Sequence, residues 1–164
     1  MTRYLLDANI FIQAKNLHYG FDFCPAFWDW LVTKNGEGKV ASVERVQDEL
    51  HEIEDELSEW AAKKGKTFFL PVDEKVVPAL SEVSQWANEQ NYEAAAVSTF
   101  LQVADYWLVT HAIAHGWAIV THEVPSDSVR KIKIPNACIG LGIPCVNPYE
   151  MLRRERARFV LGLA

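Results

Sequence analysis

Short apolar runs alternate along this chain with longer segments in which apolar residues recur every three or four positions. The short runs predict strands and the longer segments predict amphipathic helices, and this alternation is typical of parallel strands joined by crossover helices. We therefore predict one domain over residues 1–164, an α/β/α sandwich of three layers with a mostly parallel central sheet. The predicted strands are 3–6, 38–42, 117–121 and 143–146, with an additional candidate at 67–70, and the predicted helices are 8–15, 25–34, 43–63, 73–90, 93–115, 135–140 and 148–159.

The predicted helix 43–63 carries one acidic residue on its apolar side. Glu49 lies on or beside the apolar stripe, three residues after Val46 and four before Ile53. An interior carboxylate needs a partner, and a metal ion, a helix cap and an arginine salt bridge remain open as that partner. The stripe consists of Val46, Leu50, Ile53 and Leu57, and the acids predicted to face solvent are Asp48, Glu52, Asp55, Glu56 and Glu59.

A second acid lies on the apolar face of the predicted helix 93–115. Asp105 shares this face with Leu101, Ala104 and Leu108. A buried carboxylate is costly unless it is paired, so Asp105 requires either a metal ion or a hydrogen bond from a loop amide. The residue alone does not decide between these two partners.

Polar residues also mark the ends of two predicted strands. Asp7 and Asn9 follow the first strand, and Thr121 and Glu123 lie at the end of the fourth. Ligands of open α/β sheets bind at the carboxyl ends of the strands. Carboxylates that converge there without enough Lys or Arg would repel one another, so a cation between them is expected. All-oxygen ligands favour Mg²⁺ or Mn²⁺, and the predicted metal ligands are Asp7, Glu49, Asp105 and Glu123.

These residues belong to short motifs that occur in a characteristic order. The motifs are Leu5-Leu6-Asp7-Ala8-Asn9, Glu49-Leu50, Ala104-Asp105-Tyr106-Trp107-Leu108 and Val120-Thr121-His122-Glu123. In this order the chain resembles the PIN-domain ribonucleases, especially the bacterial VapC-like toxins, over almost its whole length. The resemblance implies a compact α/β/α fold, metal-dependent cleavage of single-stranded or structured RNA, and an antitoxin protein as a partner.

Position by position, the resemblance assigns catalytic roles. Asp7, Glu49 and Asp105 would form the acidic core, with Glu123 as the fourth acid. Asn9 and Thr121 would support them. The family more often has Asp at the fourth position, so the longer Glu123 side chain either binds metal directly, binds it through water, or does not bind it. One ion would orient the attacking hydroxide, and a second would stabilise the leaving oxygen.

Four residues are candidate contacts for the RNA substrate. His122 adjoins Glu123, and Arg130 and Lys131 belong to the basic C-terminal third of the chain. Trp28 lies off the apolar face of the helix 25–34, so we predict that it is exposed and able to stack on a base. The same exposed apolar surface would alternatively serve a homodimer or receive an antitoxin segment.

Composition limits these functions without deciding among them. The net charge of −6 argues against broad attraction to nucleic acid, so that only a local basic patch could hold a polyanion. The chain has no long apolar segment and no basic and apolar leader, and we expect a cytoplasmic protein without a membrane partner. The three cysteines match no metal-ligand pattern, and we expect reduced thiols.

Two alternatives to this reading involve other residues or another function. His111 and His115 have the i, i+4 spacing of helical zinc ligands, but Ala112 occupies the place where a zincin has Glu. We therefore expect these histidines to face solvent or to be hydrogen bonded. The second class of function is a catalytically weak PIN-like module that binds RNA or protein. Glu123 in place of the family's usual Asp and the acidic net charge favour this alternative.

Overall fold

The protein is built around five parallel strands that form one sheet. The computed structural model describes residues 1–162, so that Leu163 and Ala164, the end of the predicted domain, lie outside the described residues. The α/β class and the parallel sheet are confirmed, and the additional candidate strand at 67–70 is present. The strands are β1 (Tyr4–Leu6), β2 (Val40–Val43), β3 (Phe69–Leu70), β4 (Ala118–Val120) and β5 (Cys145–Val146), in the order β3-β2-β1-β4-β5.

Helices connect the strands and complete the three layers. Both faces of the central strands are covered, and every residue of β1, β2 and β4 is buried. No helix within residues 1–162 combines the length and the apolar character needed to cross a membrane. The helices are α1 (Ala8–Gln13), which continues as a π-helical turn (Ala14–His18), α2 (Pro25–Gly36), α3 (Glu44–Leu50), α4 (Glu56–Ala62), α5 (Val76–Glu89), α6 (Ala94–Gln102), α7 (Ala104–His115), α8 (Ile134–Leu141) and α9 (Pro148–Arg154).

The predicted helix 43–63 is two helices, because a new helix start lies within it. The Asp55 side chain accepts a hydrogen bond from the Ser58 amide at 2.9 Å, and the Ser58 hydroxyl accepts one from the Asp55 amide at 3.0 Å. This reciprocal capping box begins α4 as a helix separate from α3. Ile53 lies between the two helices and is 68% exposed, so its assignment to the buried stripe was wrong. Asp55 also pairs with Lys15, with 3.3 Å between Oδ2 and Nζ.

The predicted helix 93–115 is likewise divided, at Val103. Val103 has extended backbone angles (φ −108°, ψ 168°) and separates α6 from α7. Asp105 therefore lies in the first turn of α7 rather than within a long helix. This break directs the start of α7, and with it Asp105, toward the carboxyl ends of β1 and β4.

The sheet has a topological switch point between β1 and β4. From β1 the chain continues to β2 and β3 on one side, and β4 and β5 then lie on the other. Leu6 of β1 pairs with Val120 of β4, and the Asp7 amide donates to the Val120 carbonyl at 3.0 Å. The residues that follow these two strands are therefore neighbours at the place where open α/β sheets bind ligands.

Candidate functional site

A hydrogen-bond network joins the ends of β1 and β4. The Thr121 hydroxyl donates to Asp7 Oδ2 at 2.7 Å and accepts from Asn9 Nδ2 at 3.2 Å and from the Glu123 amide at 3.1 Å. Asn9 Oδ1 accepts from the His122 amide at 3.2 Å. One hydroxyl thus uses its single donor and both acceptor positions. The network fixes Asp7 and holds the chain from Thr121 to Glu123 beside it through Asn9 and Thr121, the two residues predicted to have supporting roles.

Asp7 is a buried carboxylate at the centre of this network. Burial raises the pKa of its carboxyl to about 6, and the negative charges of Glu123 and Glu49 act in the same direction. Hydrogen bonds from Thr121 and from the Ala8 amide, which donates to Oδ1 at 2.7 Å, oppose this rise. Asp7 also serves as the N-cap of α1, so it has a structural role as well as a place at the switch point.

Glu49 reaches from α3 to the start of α7. Its Oε1 accepts a hydrogen bond from the Ala104 amide at 3.3 Å, at a helix start where the N-cap residue Val103 provides no side-chain bond. Of the partners left open by the sequence, a helix cap is therefore present. Burial raises the pKa of Glu49, while the bond from Ala104 opposes this and the charge of Glu52 adds to it. This contact brings a second carboxylate next to Asp105.

The Asp105 carboxylate lacks both hydrogen-bond donors and ion-pair partners within the described residues, 1–162, although the side chain is partly buried. Burial raises the pKa of Asp105 to about 8. The charges of Asp7, Glu123 and Glu49 add to this rise, and only the Lys131 ammonium opposes it. The loop-amide partner considered from the sequence is thus not found in the part of the chain described.

Glu123 completes the set from the end of β4. Its Oε2 is buried without a hydrogen-bond partner within the described residues, and Lys133 Nζ lies 3.8 Å away, too far for a hydrogen bond. The charge of Glu123 raises the pKa of both Asp7 and Asp105, so the carboxylate lies within electrostatic range of both. Lys133 was not among the predicted site residues, although it belongs to the same basic cluster as Lys131.

The four acids approach one another without meeting at one point. Over residues 1–162, no three His, Cys, Asp or Glu side chains are arranged to hold a metal ion. Their donor set nevertheless fits Mg²⁺ or Mn²⁺, since it consists of carboxylate oxygens whose mutual repulsion a cation would relieve.

A known protein family matches almost the whole of this chain. A family model described as a domain of unknown function (DUF4411) matches residues 4–159. The chain belongs to the DUF4411 family. The matched range runs from the start of β1 to beyond α9 and includes all four acids of the site. No match to a curated protein was found. Membership of this family assigns no activity, so the chemistry of the site is the basis for the function of this DUF4411 domain.

Two basic residues predicted to contact substrate border the acids. A cavity of about 210 Å³ beside α7 is lined by Asp105, Arg130 and Lys131. Arg130 is strongly exposed, and its Nε lies 3.9 Å from Glu93 Oε1, so its only ion pair within residues 1–162 is weak. The DUF4411 domain therefore presents two cations at the edge of an acidic site.

His122 belongs to a group of three rings on the other side of the acids. Its ring centroid lies 5.5 Å from that of His18 and 6.1 Å from that of Tyr149. Tyr149 Oη and His18 Nε2 are 3.2 Å apart. Burial lowers the pKa of His122, and the charge of His18 acts in the same direction, so both favour the neutral ring. His18 and Tyr149 were missed from the sequence, although Tyr149 follows β5 just as His122 follows β4.

The prediction that Trp28 is exposed was wrong. Trp28 is 3% exposed, and its Nε1 donates to the Tyr19 carbonyl at 2.7 Å. Its ring stacks on Phe21 at 4.1 Å and meets Trp60 edge-on at 5.0 Å between centroids. The loop before α2 and helix α4 thus cover a second face of α2 in this DUF4411 domain. Trp28 is a core residue and offers no surface to a substrate or partner.

The expectation for His111 was also wrong. His111 is buried, and neither ring nitrogen has a hydrogen-bond partner within residues 1–162. Burial lowers its pKa to about 4, and the charge of His115 contributes. His115 Nε2 lies 2.8 Å from Asp73 Oδ2. Both histidines lie toward the C-terminal end of α7, whereas Asp105 lies at its start, so they are not part of the carboxylate site.

Proposed function

We propose that this chain is a PIN-like, Mg²⁺- or Mn²⁺-dependent endoribonuclease that hydrolyses RNA phosphodiester bonds. The observation that carries the proposal is Asp105, a partly buried carboxylate that lines a cavity, has no hydrogen-bond partner within residues 1–162 and has a pKa raised to about 8. Burying such a group without compensation is unfavourable, and perturbed carboxyls of this kind concentrate at functional sites. The position of Asp105 at the switch point of the sheet supports the same conclusion.

A divalent cation accounts for all four acids together. Asp7 and Asp105 are the proposed shared ligands, and Glu49 and Glu123 would complete the coordination or orient water. When bound, the metal would supply Lewis-acid activation of water and would stabilise negative charge at the phosphate. The proposal explains why the charges of Asp7, Glu49 and Glu123 all act on Asp105, where only the Lys131 ammonium opposes them.

The remaining polar residues position the acids and the substrate. The hydroxyl of Thr121 and the amide of Asn9 hold Asp7 and the end of β4 in place. Such bonds to ligating carboxylates orient them and tune metal affinity. Lys131 and Arg130 line the cavity next to Asp105 and would attract the phosphate backbone. RNA rather than DNA as the substrate follows from the resemblance to PIN-domain ribonucleases.

Cleavage of a mixed RNA pool by the purified protein tests the proposal. We expect fragments with Mn²⁺ or Mg²⁺ and none when EDTA is in excess, because the four acids cannot activate water without a cation. Asp7→Asn should also abolish cleavage and leave the circular dichroism spectrum unchanged. Cleavage that persists in EDTA, or that Asp7→Asn leaves at the wild-type rate, would contradict the proposed chemistry.

One observation favours a second candidate, a PIN-like module that binds RNA or protein with little catalysis. No three potential ligands in residues 1–162 are arranged to hold a metal ion. In that case the acids would have structural roles, such as the caps that Asp7 provides to α1 and Glu49 to α7. A protein that binds RNA but shows no affinity for Mn²⁺ would support this candidate over the nuclease.

The resemblance to VapC-like toxins extends the proposal to a protein partner. We propose that the chain is the toxin of a toxin-antitoxin pair and that an antitoxin controls access to the acids. A cavity of about 160 Å³ beside Glu49 is lined by Ile12 and Ile53, which are 40% and 68% exposed. Exposed apolar residues beside a site suit a protein contact. A small adjacent gene that encodes a DNA-binding protein would support this partner.

A further inference from the structure

A cavity beside the acids is lined, apart from Thr121 and Glu123, by residues that the proposed phosphodiester chemistry does not use. It measures about 430 Å³ and lies between the ends of β4 and β5 and α8. Its wall includes Glu123, the rings of His122 and Tyr149, and the exposed side chain of Ile139. We call this cavity the β4–β5 pocket.

We propose that the β4–β5 pocket binds one unpaired base of the RNA, with guanine preferred over uracil, next to the phosphate that is cleaved. This inference rests on the proposed function for its substrate class. It goes beyond that function because it assigns the base-binding surface and requires the RNA to be single-stranded at the cleavage site.

Flat side chains make the pocket suitable for a base. Tyr149 and His122 contribute rings from the ends of two neighbouring strands, and His18 supports both rings from the opposite side. The bond between Tyr149 Oη and His18 Nε2 restricts the orientation of the tyrosine. Unpaired bases stack on such rings in sequence-specific RNA recognition. The apolar wall formed by Ile139 and Val124, which are 73% and 69% exposed, would be covered by the bound base.

The polar groups of the pocket select a hydrogen-bond donor. Glu123 and Glu150 line the pocket, and no Lys or Arg of the described chain does. Glu123 Oε2 is buried, which leaves Oε1 as its acceptor, and Glu150 Oε1 accepts from Asn147 Nδ2 at 3.2 Å while its Oε2 lies 3.9 Å from Arg154. Carboxylates recognise the N–H groups of bases, as Glu and Asp do when they accept from cytosine N4. Guanine presents two adjacent N–H donors on its Watson–Crick edge, whereas uracil presents one donor between two carbonyls. Acceptors in the wall therefore favour guanine over uracil.

The same argument excludes a fully paired RNA at this position. The Watson–Crick edge of a base in a duplex is already hydrogen bonded, and its faces are covered by the neighbouring bases. A base can enter the pocket only from a single strand, a loop or a flipped position. The acidic overall charge agrees with this, since the domain lacks the broad basic surface that holds a duplex backbone.

Methyl NMR of the intact protein in EDTA tests the inference apart from cleavage. Isoleucine methyl groups are labelled, and GMP, UMP and inorganic phosphate are titrated separately. We expect GMP to shift the Ile139 methyl signal, with an apparent affinity at least about fivefold higher than that of UMP. The Ile53 methyl, which is exposed beside a different cavity, is the matched control and should not move.

Substitutions at Tyr149 test the stacking contact in the same experiment. Tyr149→Ala should weaken GMP binding about fivefold or more, whereas Tyr149→Phe keeps the ring and should retain it. Equal shifts with GMP, UMP and phosphate, or equal affinities in the Ala variant and the wild type, would overturn the inference. RNA cleavage without a GMP effect at Ile139 would contradict base binding in the pocket but not the nuclease activity. A GMP effect without RNA cleavage would contradict the nuclease activity but not base binding in the pocket.

Discussion

Asp105→Asn is expected to reduce Mn²⁺-dependent RNA cleavage at least about 100-fold without unfolding the protein. Asparagine has nearly the same shape as aspartate, and no hydrogen bond within residues 1–162 depends on the Asp105 carboxylate, so the packing of α7 should be preserved. The substitution removes the negative charge that a divalent cation would need at the centre of the four acids. Initial rates on a defined single-stranded RNA, measured at saturating Mn²⁺, give the effect.

A matched control separates this effect from a general loss of acidic charge. Asp48 is exposed on α3, one residue before Glu49, and Asp48→Asn makes the same chemical change outside the site. We expect the control to cleave at a rate within about twofold of the wild type, since exposed surface substitutions change little. An Asp105→Asn protein that retains half of the wild-type rate would show that Asp105 is not a metal ligand.

The second large effect concerns the stability of the protein without metal, which should fall as the pH rises. The pKa values of Asp7 and Asp105 are about 6 and 8 in the folded protein, above the ordinary value of 3.8. Between pH 4 and 8 the folded state therefore binds more protons than the unfolded state, and the free energy of unfolding decreases with pH in this range. The contribution of both groups is fully present below about pH 4 and is lost as the pH rises through about 6 and 8.

Asp105→Asn should remove the larger part of this decrease in the free energy of unfolding at high pH. In EDTA at pH 8.5 we expect the variant to melt on the order of 5 °C above the wild type, and at pH 4 the two should coincide. His111, with a pKa lowered to about 4, destabilises both proteins alike as the pH falls, so it cancels in the comparison. Differential scanning calorimetry across this range measures the difference. A variant that melts below the wild type at pH 8.5 would mean that Asp105 stabilises the fold, contrary to our account.

The sequence was sufficient to predict the sheet and the residues at its edge. Strands followed by polar residues are local signals, and the parallel order then brings Asp7, Asn9 and Thr121 together because β1 and β4 pair directly. The switch point explains why residues more than a hundred positions apart form one network. This part of the site depends only on strand ends and sheet order.

The contacts that define Asp105 and Glu49 could not be predicted in the same way. The break at Val103 has no Gly or Pro signal, and the cap on α7 comes from Glu49 on a different helix. Periodicity therefore suggested a continuous helix, with Asp105 in its interior. The predicted exposure of Trp28 was wrong for a similar reason, since Phe21 and Trp60, which lies on α4, cover its ring. Each of these features depends on a tertiary contact that a single sequence does not specify.

Calorimetric titration of Mn²⁺ at pH 7, repeated in buffers with different ionisation enthalpies, tests whether these carboxylates form a metal site. At this pH Asp105, with a pKa of about 8, is mostly protonated and Asp7, with a pKa of about 6, is mostly ionised. Metal binding should therefore release about one proton per chain in the wild type and almost none in Asp105→Asn. Absence of Mn²⁺ binding, or binding with the same proton release in both proteins, would contradict a metal site built on these carboxylates.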